Sequence, residues 1–264
     1  MSFSTSNVSV DGCRVSVKRG GAGEPLLFLH GATGAAKVLP FMERLAERFD
    51  VIVPEHPGFG DSDDPSWLEN IADLAYFYLD FLAAQDLRRV HVVGGSIGGW
   101  IALEMAVRDA SRFATLALIG SAGIHLKGVP TGDLFLWSPE ETIRNAFFDP
   151  SIAERELAER LTPEQQESVL KNKYTVAKLA WEPRLHDPFL YKWLKRIHVP
   201  TKIIWGDSDR MFPLQYGESF QKMIPGADLT VIRRCGHLPH VERPDEFCNT
   251  LVRFIDSART ARRG

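Results

Sequence analysis

The sequence predicts an α/β protein with a mostly parallel central sheet, helices on both of its faces and a helical insertion. Three observations carry this expectation. Short apolar runs alternate with amphipathic segments of helical length, the strand signal disappears between about Gly123 and His198, and the alternation then resumes to the end of the chain. Continuously apolar strands separated by helices are what a sheet buried on both faces requires.

The first element differs from the rest. Val8-Ser9-Val10 and Arg14-Val15-Ser16-Val17 alternate apolar and polar side chains around Asp11-Gly12, a dipeptide suited to tight turns, so this segment reads as an antiparallel β-hairpin. Pro25 to Leu29, Val51 to Val53, Val90 to Val93 and Leu116 to Ile119 then read as buried strands. Between them, Phe41 to Phe49, Ile71 to Ala84 and Ile101 to Val107 repeat apolar residues every three or four positions and read as helices packed on the sheet.

From Gly123 to His198 helical segments are expected around Glu140 to Phe148, Ile152 to Leu161, Glu164 to Leu179 and Leu190 to Ile197. Ser138-Pro139, Asp149-Pro150, Thr162-Pro163 and Asp187-Pro188 put a proline near the start of each, where a missing amide hydrogen costs nothing. Lys202 to Trp205 and Leu229 to Ile232 resume the strands, and Phe247 to Ile255 closes the chain as an amphipathic helix. The predicted organisation is a core of residues 1–122 and 199–264 interrupted by a helical unit of residues 123–198.

Composition excludes several function classes. In 264 residues, 25% charged and 44% hydrophobic side chains match an ordinary soluble domain. Thirty-one basic against thirty-four acidic residues, a net charge of -3, leave no basic stripe for nucleic acid. The densest basic stretch, Arg259 to Arg263, reads as a solvated terminus. Cys13, Cys235 and Cys248 are widely separated and match neither a disulfide framework nor a zinc pattern. Met1 to Arg19 lacks the apolar run of a signal peptide, and no stretch reaches the length of a membrane span. A reducing, cytoplasmic location is the expectation, with no membrane partner.

The chemistry concentrates where a strand runs into Gly94-Gly95-Ser96-Ile97-Gly98-Gly99 and a helix follows. This is the strand, tight turn and helix of a nucleophile elbow, with small neighbours that let strand and helix approach. Ser96 is the candidate nucleophile. A serine hydroxyl needs a base at neutral pH, and imidazole titrates in the useful range. Among eight histidines, His237 in Cys235-Gly236-His237-Leu238-Pro239-His240-Val241-Glu242 follows a strand and precedes the last helix, with His240 as the nearby competitor. The orienting acid is expected beyond another strand, in Trp205-Gly206-Asp207-Ser208-Asp209, where Asp207 suits the turn and Asp209 is the candidate. Nucleophile, acid and base then follow in the chain order expected of this architecture.

In the elbow, the Trp205-to-Asp209 segment and the Gly236-His237 segment, the chain resembles the α/β-hydrolase superfamily over nearly its whole length. The resemblance implies that His30-Gly31 belongs to the oxyanion loop, so the amides of Ala32 and Ile97 would bind the developing oxyanion, while His30 shapes the loop. It makes His56-Pro57-Gly58-Phe59-Gly60-Asp61-Ser62 a structural loop, and the 123–198 insertion a cap that roofs the site. Trp137 in the cap and Leu238 beside the base are the candidate substrate contacts.

The leading expectation is a serine hydrolase that cleaves a carboxylic ester or related small acyl compound through an acyl-enzyme. Such a mechanism requires neither metal nor cofactor. A serine at the elbow argues against the haloalkane dehalogenases and epoxide hydrolases, which use aspartate there. One alternative is a carbon–carbon bond hydrolase of aromatic ring-cleavage products. Enzymes of that kind typically carry asparagine before the nucleophile and tryptophan after the histidine, where this chain has Gly95 and Leu238. Arg144 and Arg184 are its candidates to bind a substrate carboxylate. A second alternative is a small-molecule receptor on the same fold with little turnover. Nothing in the sequence fixes the oligomeric state.

Overall fold

The computed structural model of the chain describes residues 2–261. The basic tail continues to Arg262 and Arg263, which lie outside the described residues. Strands β1 (Ser4–Val10) and β2 (Cys13–Gly21) form the expected antiparallel hairpin, with Val10 facing Cys13 across the turn. Asp11 and Gly12 both have positive φ, 47° and 80°, as a two-residue hairpin turn demands. The sheet continues with β3 (Glu24–Leu29), β4 (Phe49–Pro54), β5 (Val90–Gly95), β6 (Phe113–Ile119), β7 (Thr201–Gly206) and β8 (Asp228–Ile232).

Among the described residues these make one eight-stranded sheet in the order β1-β2-β4-β3-β5-β6-β7-β8. Only the β1–β2 and β2–β4 pairings are antiparallel, so the sheet is mostly parallel.

Alternate side chains of each inner strand enter two separate cores. Leu27, Leu29, Val92 and Trp205 pack with helices α2 (Ile71–Ala84), α3 (Ile97–Arg108) and α7 (Gln215–Met223) through Phe81, Ile101, Met105 and Phe220. Leu26, Phe28, Val93 and Ile204 pack on the opposite face with α1 (Pro40–Ala46) and α9 (Pro244–Ala261). The last helix buries Phe247, Leu251 and Ile255, one per turn, and truncating one of these to Ala would cost roughly 2–5 kcal/mol.

Between β6 and β7 the chain forms α4 (Pro139–Ala146), α5 (Pro150–Ala158) and α6 (Pro163–Ala180). Each starts with proline after a capping side chain: Ser138 accepts from the Glu141 amide, Asp149 from that of Ser151 and Thr162 from that of Gln165. The expected fourth helix is instead two 3-10 turns, Leu190–Lys192 and Leu194–Arg196. Leu190, Leu194 and Ile197 are fully buried here, so apolar spacing persists without an α-helix. The expected helix Phe41 to Phe49 ends at Ala46, because Phe49 opens β4 opposite Glu24 of β3.

Two short helices escape the sequence reading. Gly217 interrupts the helical pattern of α7, yet a Cβ there would lie 3.0 Å from the buried Trp205 indole. The other is α8 (Pro239–Glu242), a single turn following His237. Among the described residues no helix is long and apolar enough to cross a membrane.

Candidate active site

Strand β5 delivers Ser96 into a sharp turn with φ 54° and ψ −117°, a conformation that L side chains rarely adopt. The surrounding hydrogen bonds impose it. The Ser96 amide donates to Ile119 O at 2.8 Å, and the Ser96 carbonyl accepts from the amides of Gly99 at 3.0 Å and Ala122 at 3.1 Å. Strand and helix approach so closely that a Cβ on Gly94 would lie 2.3 Å from Gly98 O, and one on Gly98 would lie 2.0 Å from Leu29 O. Glycine is therefore the residue these two positions can hold.

The loop after β3 borders the same point, since a Cβ on Gly31 would come within 3.2 Å of Ser96 Cβ. Ala32 follows Gly31, and Ile97 follows Ser96 at the start of α3, so both candidate oxyanion donors flank the serine. His30 is buried with its Nδ1 at 2.7 Å from Gly31 O, while its Nε2 accepts from the His56 amide at 3.0 Å. Its ring stacks on that of His56 at 3.6 Å, and burial lowers its pKa to about 4. A neutral, doubly bonded imidazole shapes this loop. Ser62 has a similarly structural place, donating its hydroxyl to Glu55 O and accepting from the Ser16 amide.

His237 sits on the loop between β8 and α8, with the backbone of Gly120, just past β6, against its ring. Its Nδ1 lies 2.9 Å from Asp209 Oδ2. The other Asp209 oxygen accepts from the amides of Met211 at 2.8 Å and Phe212 at 2.9 Å, so the carboxylate is held on both sides. Asp207 is exposed and its Oδ1 accepts from the Ser208 hydroxyl, the part of a turn residue.

The competitor His240 lies in an apolar cage of Phe28, Phe41 and Phe247 rings behind the elbow. Burial lowers its pKa to about 3, and its Nδ1 has no hydrogen-bond partner.

Trp137 is half-buried and packs over Gly132, where a Cβ would meet its ring at 2.3 Å. Leu238 is half-buried and begins the α8 turn. Arg144 is ion-paired with Glu140 and Glu154 on its own side of the insertion. Arg184 is paired with Asp133 and lies over the Trp181 ring at 4.4 Å.

Three polar residues with large roles here went unnoticed in the sequence. Glu55 accepts from the amides of Ala35 and Asp61, Asn172 of α6 bonds both Gly60 and Thr33, and Glu242 bonds three backbone amides. A polar residue within the buried stripe of α6 is the one sequence signal that points to Asn172. Among the described residues no group of three or more His, Cys, Asp or Glu is placed to hold a metal ion. A cavity of about 370 Å³ lined by Arg108, Ser111, Arg196 and His198 lies at the far end of α3 from Ser96 and plays no part in this site.

The sequence pattern of the alpha/beta hydrolase family matches residues 26–250. Among similar proteins, 2-hydroxymuconate semialdehyde hydrolase of Pseudomonas sp. (strain CF600) is 28% identical over 95% of this chain and 93% of its own length. Lipase 1 of Psychrobacter immobilis is 27% identical over 88% of this chain and 77% of its own. The crystal structure of a membrane phospholipase A, a bacterial virulence factor, superimposes with a TM-score of 0.82 at 28% identity, covering 97% of this chain and 87% of that one. The chain belongs to the alpha/beta hydrolase family.

Proposed function

We propose that this hydrolase cleaves carboxylic esters through an acyl-enzyme, with Ser96 as nucleophile, His237 as general base and Asp209 as its orienting acid. The observation that carries this reading is the 2.9 Å contact from His237 Nδ1 to an Asp209 carboxylate whose other oxygen is already fixed by two amides. That arrangement leaves Nε2 as the basic nitrogen and sets the tautomer. Ser96 Oγ adds to the ester carbonyl carbon while His237 Nε2 takes its proton. The carbonyl oxygen becomes anionic between the Ala32 and Ile97 amides, at the positive end of α3. Collapse of the tetrahedral species breaks the bond to the alcohol, which receives the proton from His237. Water, deprotonated by the same imidazole, then releases the acid and restores Ser96.

Residues 123–198 act as the cap over this site, with Trp137 and Leu238 contacting substrate. The pairing of Arg144 and Arg184 with insertion carboxylates favours neutral esters over substrates with a free carboxylate. The likeness to 2-hydroxymuconate semialdehyde hydrolase favours a second reading, hydrolysis of a carbon–carbon bond in a ring-cleavage product by the same three residues.

Fluorophosphonate treatment followed by mass spectrometry tests the nucleophile. One adduct is expected on Ser96, with neither adduct nor turnover in Ser96→Ala. An adduct on another residue of the wild type, or undiminished turnover by Ser96→Ala, overturns the assignment. Assaying p-nitrophenyl esters beside a vinylogous diketone chooses between the two bond types.

A further inference from the structure

The loop that carries His237 is joined to the insertion by its backbone. The His237 amide donates to Ala146 O, the last residue of α4, at 2.8 Å. Immediately before it, the Gly236 amide donates to Glu242 Oε2 at 2.7 Å. The other oxygen of that carboxylate, Oε1, accepts from the amides of Phe148 at 3.0 Å and Asp149 at 2.7 Å, in the turn between α4 and α5, and the Phe148 amide also reaches Oε2 at 3.2 Å. Glu242 is itself 6% exposed, so these amides replace water as its solvation.

We infer that Glu242 is a positioning residue for His237, a clamp that locks the histidine loop and the α4–α5 turn of the insertion into one unit. The inference rests on the proposed role of His237 as base.

The chemistry of the clamp is specific to a carboxylate. Oε2 takes the Gly236 amide and Oε1 that of Asp149, with the Phe148 amide shared between the two oxygens. A glutamine of the same shape offers one oxygen and one N–H group. Whichever way its amide is turned, its N–H group meets the Gly236 amide or the Asp149 amide, donor against donor, and the tie between loop and turn is weakened. A base that wanders by a fraction of an ångström still binds substrate but transfers the proton less often. The clamp therefore acts on kcat and leaves KM largely alone.

The test compares Glu242→Gln with wild type in steady-state ester hydrolysis, with fluorophosphonate titration counting the competent Ser96 sites so that rates are per active site. The expected result is at least a tenfold fall in kcat per site with KM changed less than threefold. A second pair of variants covers the case in which Glu242→Gln does not fold. Asp149 has φ −80°, which proline can adopt, so Asp149→Pro deletes one clamping amide, while Asp149→Ala reproduces only the loss of the helix cap. Asp149→Pro should fall at least threefold below Asp149→Ala in kcat per site. Wild-type kcat per site in Glu242→Gln, or equal rates in the two Asp149 variants, overturns the clamp. If wild-type protein is labelled away from Ser96, it is the reading of the nucleophile that fails instead, and if His237→Ala retains full turnover, it is the reading of the base.

Discussion

His237 presents Nδ1 to Oδ2 of Asp209 at 2.9 Å, across a loop junction where β7 and β8 run side by side. Asp207, two residues earlier, faces solvent and bonds the Ser208 hydroxyl. Asp209→Asn would present an amide that can turn its N–H toward the ring and select the wrong tautomer. We expect kcat to fall by about 10³ to 10⁴ in Asp209→Asn and by less than tenfold in Asp207→Asn. Parallel kinetics on the two variants check this, and a larger loss at Asp207 reverses the assignment.

Ser96 holds a backbone conformation that only glycine adopts freely. Removing the side chain entirely relieves that strain, whereas alanine keeps it. Ser96→Gly should therefore be more stable than Ser96→Ala by about 1 kcal/mol, less the entropy glycine adds to the unfolded chain, with both inactive. Denaturant unfolding of the two proteins measures the difference. Equal stability would mean that the elbow relaxes without its hydroxyl.

Strands β3 to β7 are legible in the sequence because burial on both faces makes them largely apolar. The edge strand β8 shows through Leu229, Val231 and Ile232 although only Ile232 is buried, and Asp209 and His237 can be paired because each follows a strand. Boundaries are less legible. Phe49 fits the helical spacing before it, but hydrogen bonding to β3 claims it for the sheet. Apolar spacing at Leu190, Leu194 and Ile197 reports burial and not helix type. Gly217 weakens the signal of α7 for a reason located in Trp205. Glu242 and Asn172 are hidden for another reason. They bond backbone groups far away in the chain, and no periodicity encodes that.

His240 ionises only at about pH 3 when folded, because burial among phenylalanine rings disfavours the imidazolium. An unfolded histidine ionises near about 6.5. Between those values the unfolded chain binds the extra proton, so the contribution to stability is complete above pH 6.5 and is lost as pH falls toward 3. The slope is about 1.4 kcal/mol per pH unit. His240→Leu should flatten acid destabilisation between pH 4 and 6 by roughly that amount and retain turnover within about an order of magnitude. Unfolding free energies at three pH values, with an ester assay, decide both points. Loss of turnover matching that of His237→Ala would make His240 the base.

Asn172 is 3% exposed on α6, donating to Thr33 O at 3.0 Å and accepting from the Gly60 amide at 2.9 Å. Thr33 adjoins Ala32, so this side chain steadies the proposed oxyanion loop from the insertion. Asn172→Leu keeps the volume and leaves both partners unpaired, costing about 1–3 kcal/mol. A loosened amide at Ala32 should also lower kcat roughly tenfold. Unfolding and kinetics on the one variant measure both effects, and wild-type kcat in a destabilised protein would confine Asn172 to structure.

Substrate preference follows from where the large apolar side chains of residues 123–198 point. Phe147 is buried, and Phe135 and Trp137 are half-buried against the core, whereas Leu136, Phe148, Tyr174 and Trp181 face solvent. On the proposed role of residues 123–198 as a cap, the inward set would supply an apolar lining, and pockets for small molecules are mainly apolar with a few placed polar groups. Each methylene buried there contributes up to about 0.8 kcal/mol, about a fourfold gain in kcat/KM, until the pocket is full. Medium-chain and aromatic p-nitrophenyl esters should therefore exceed the acetate in kcat/KM. A dicarboxylate monoester should be poor, because Arg144 and Arg184 are already committed to Glu140, Glu154 and Asp133. A preference for acetate would refute the apolar pocket. A preference for the charged ester would require one arginine to leave its partner and turn inward, and would strengthen the carbon–carbon hydrolase reading at the expense of the esterase.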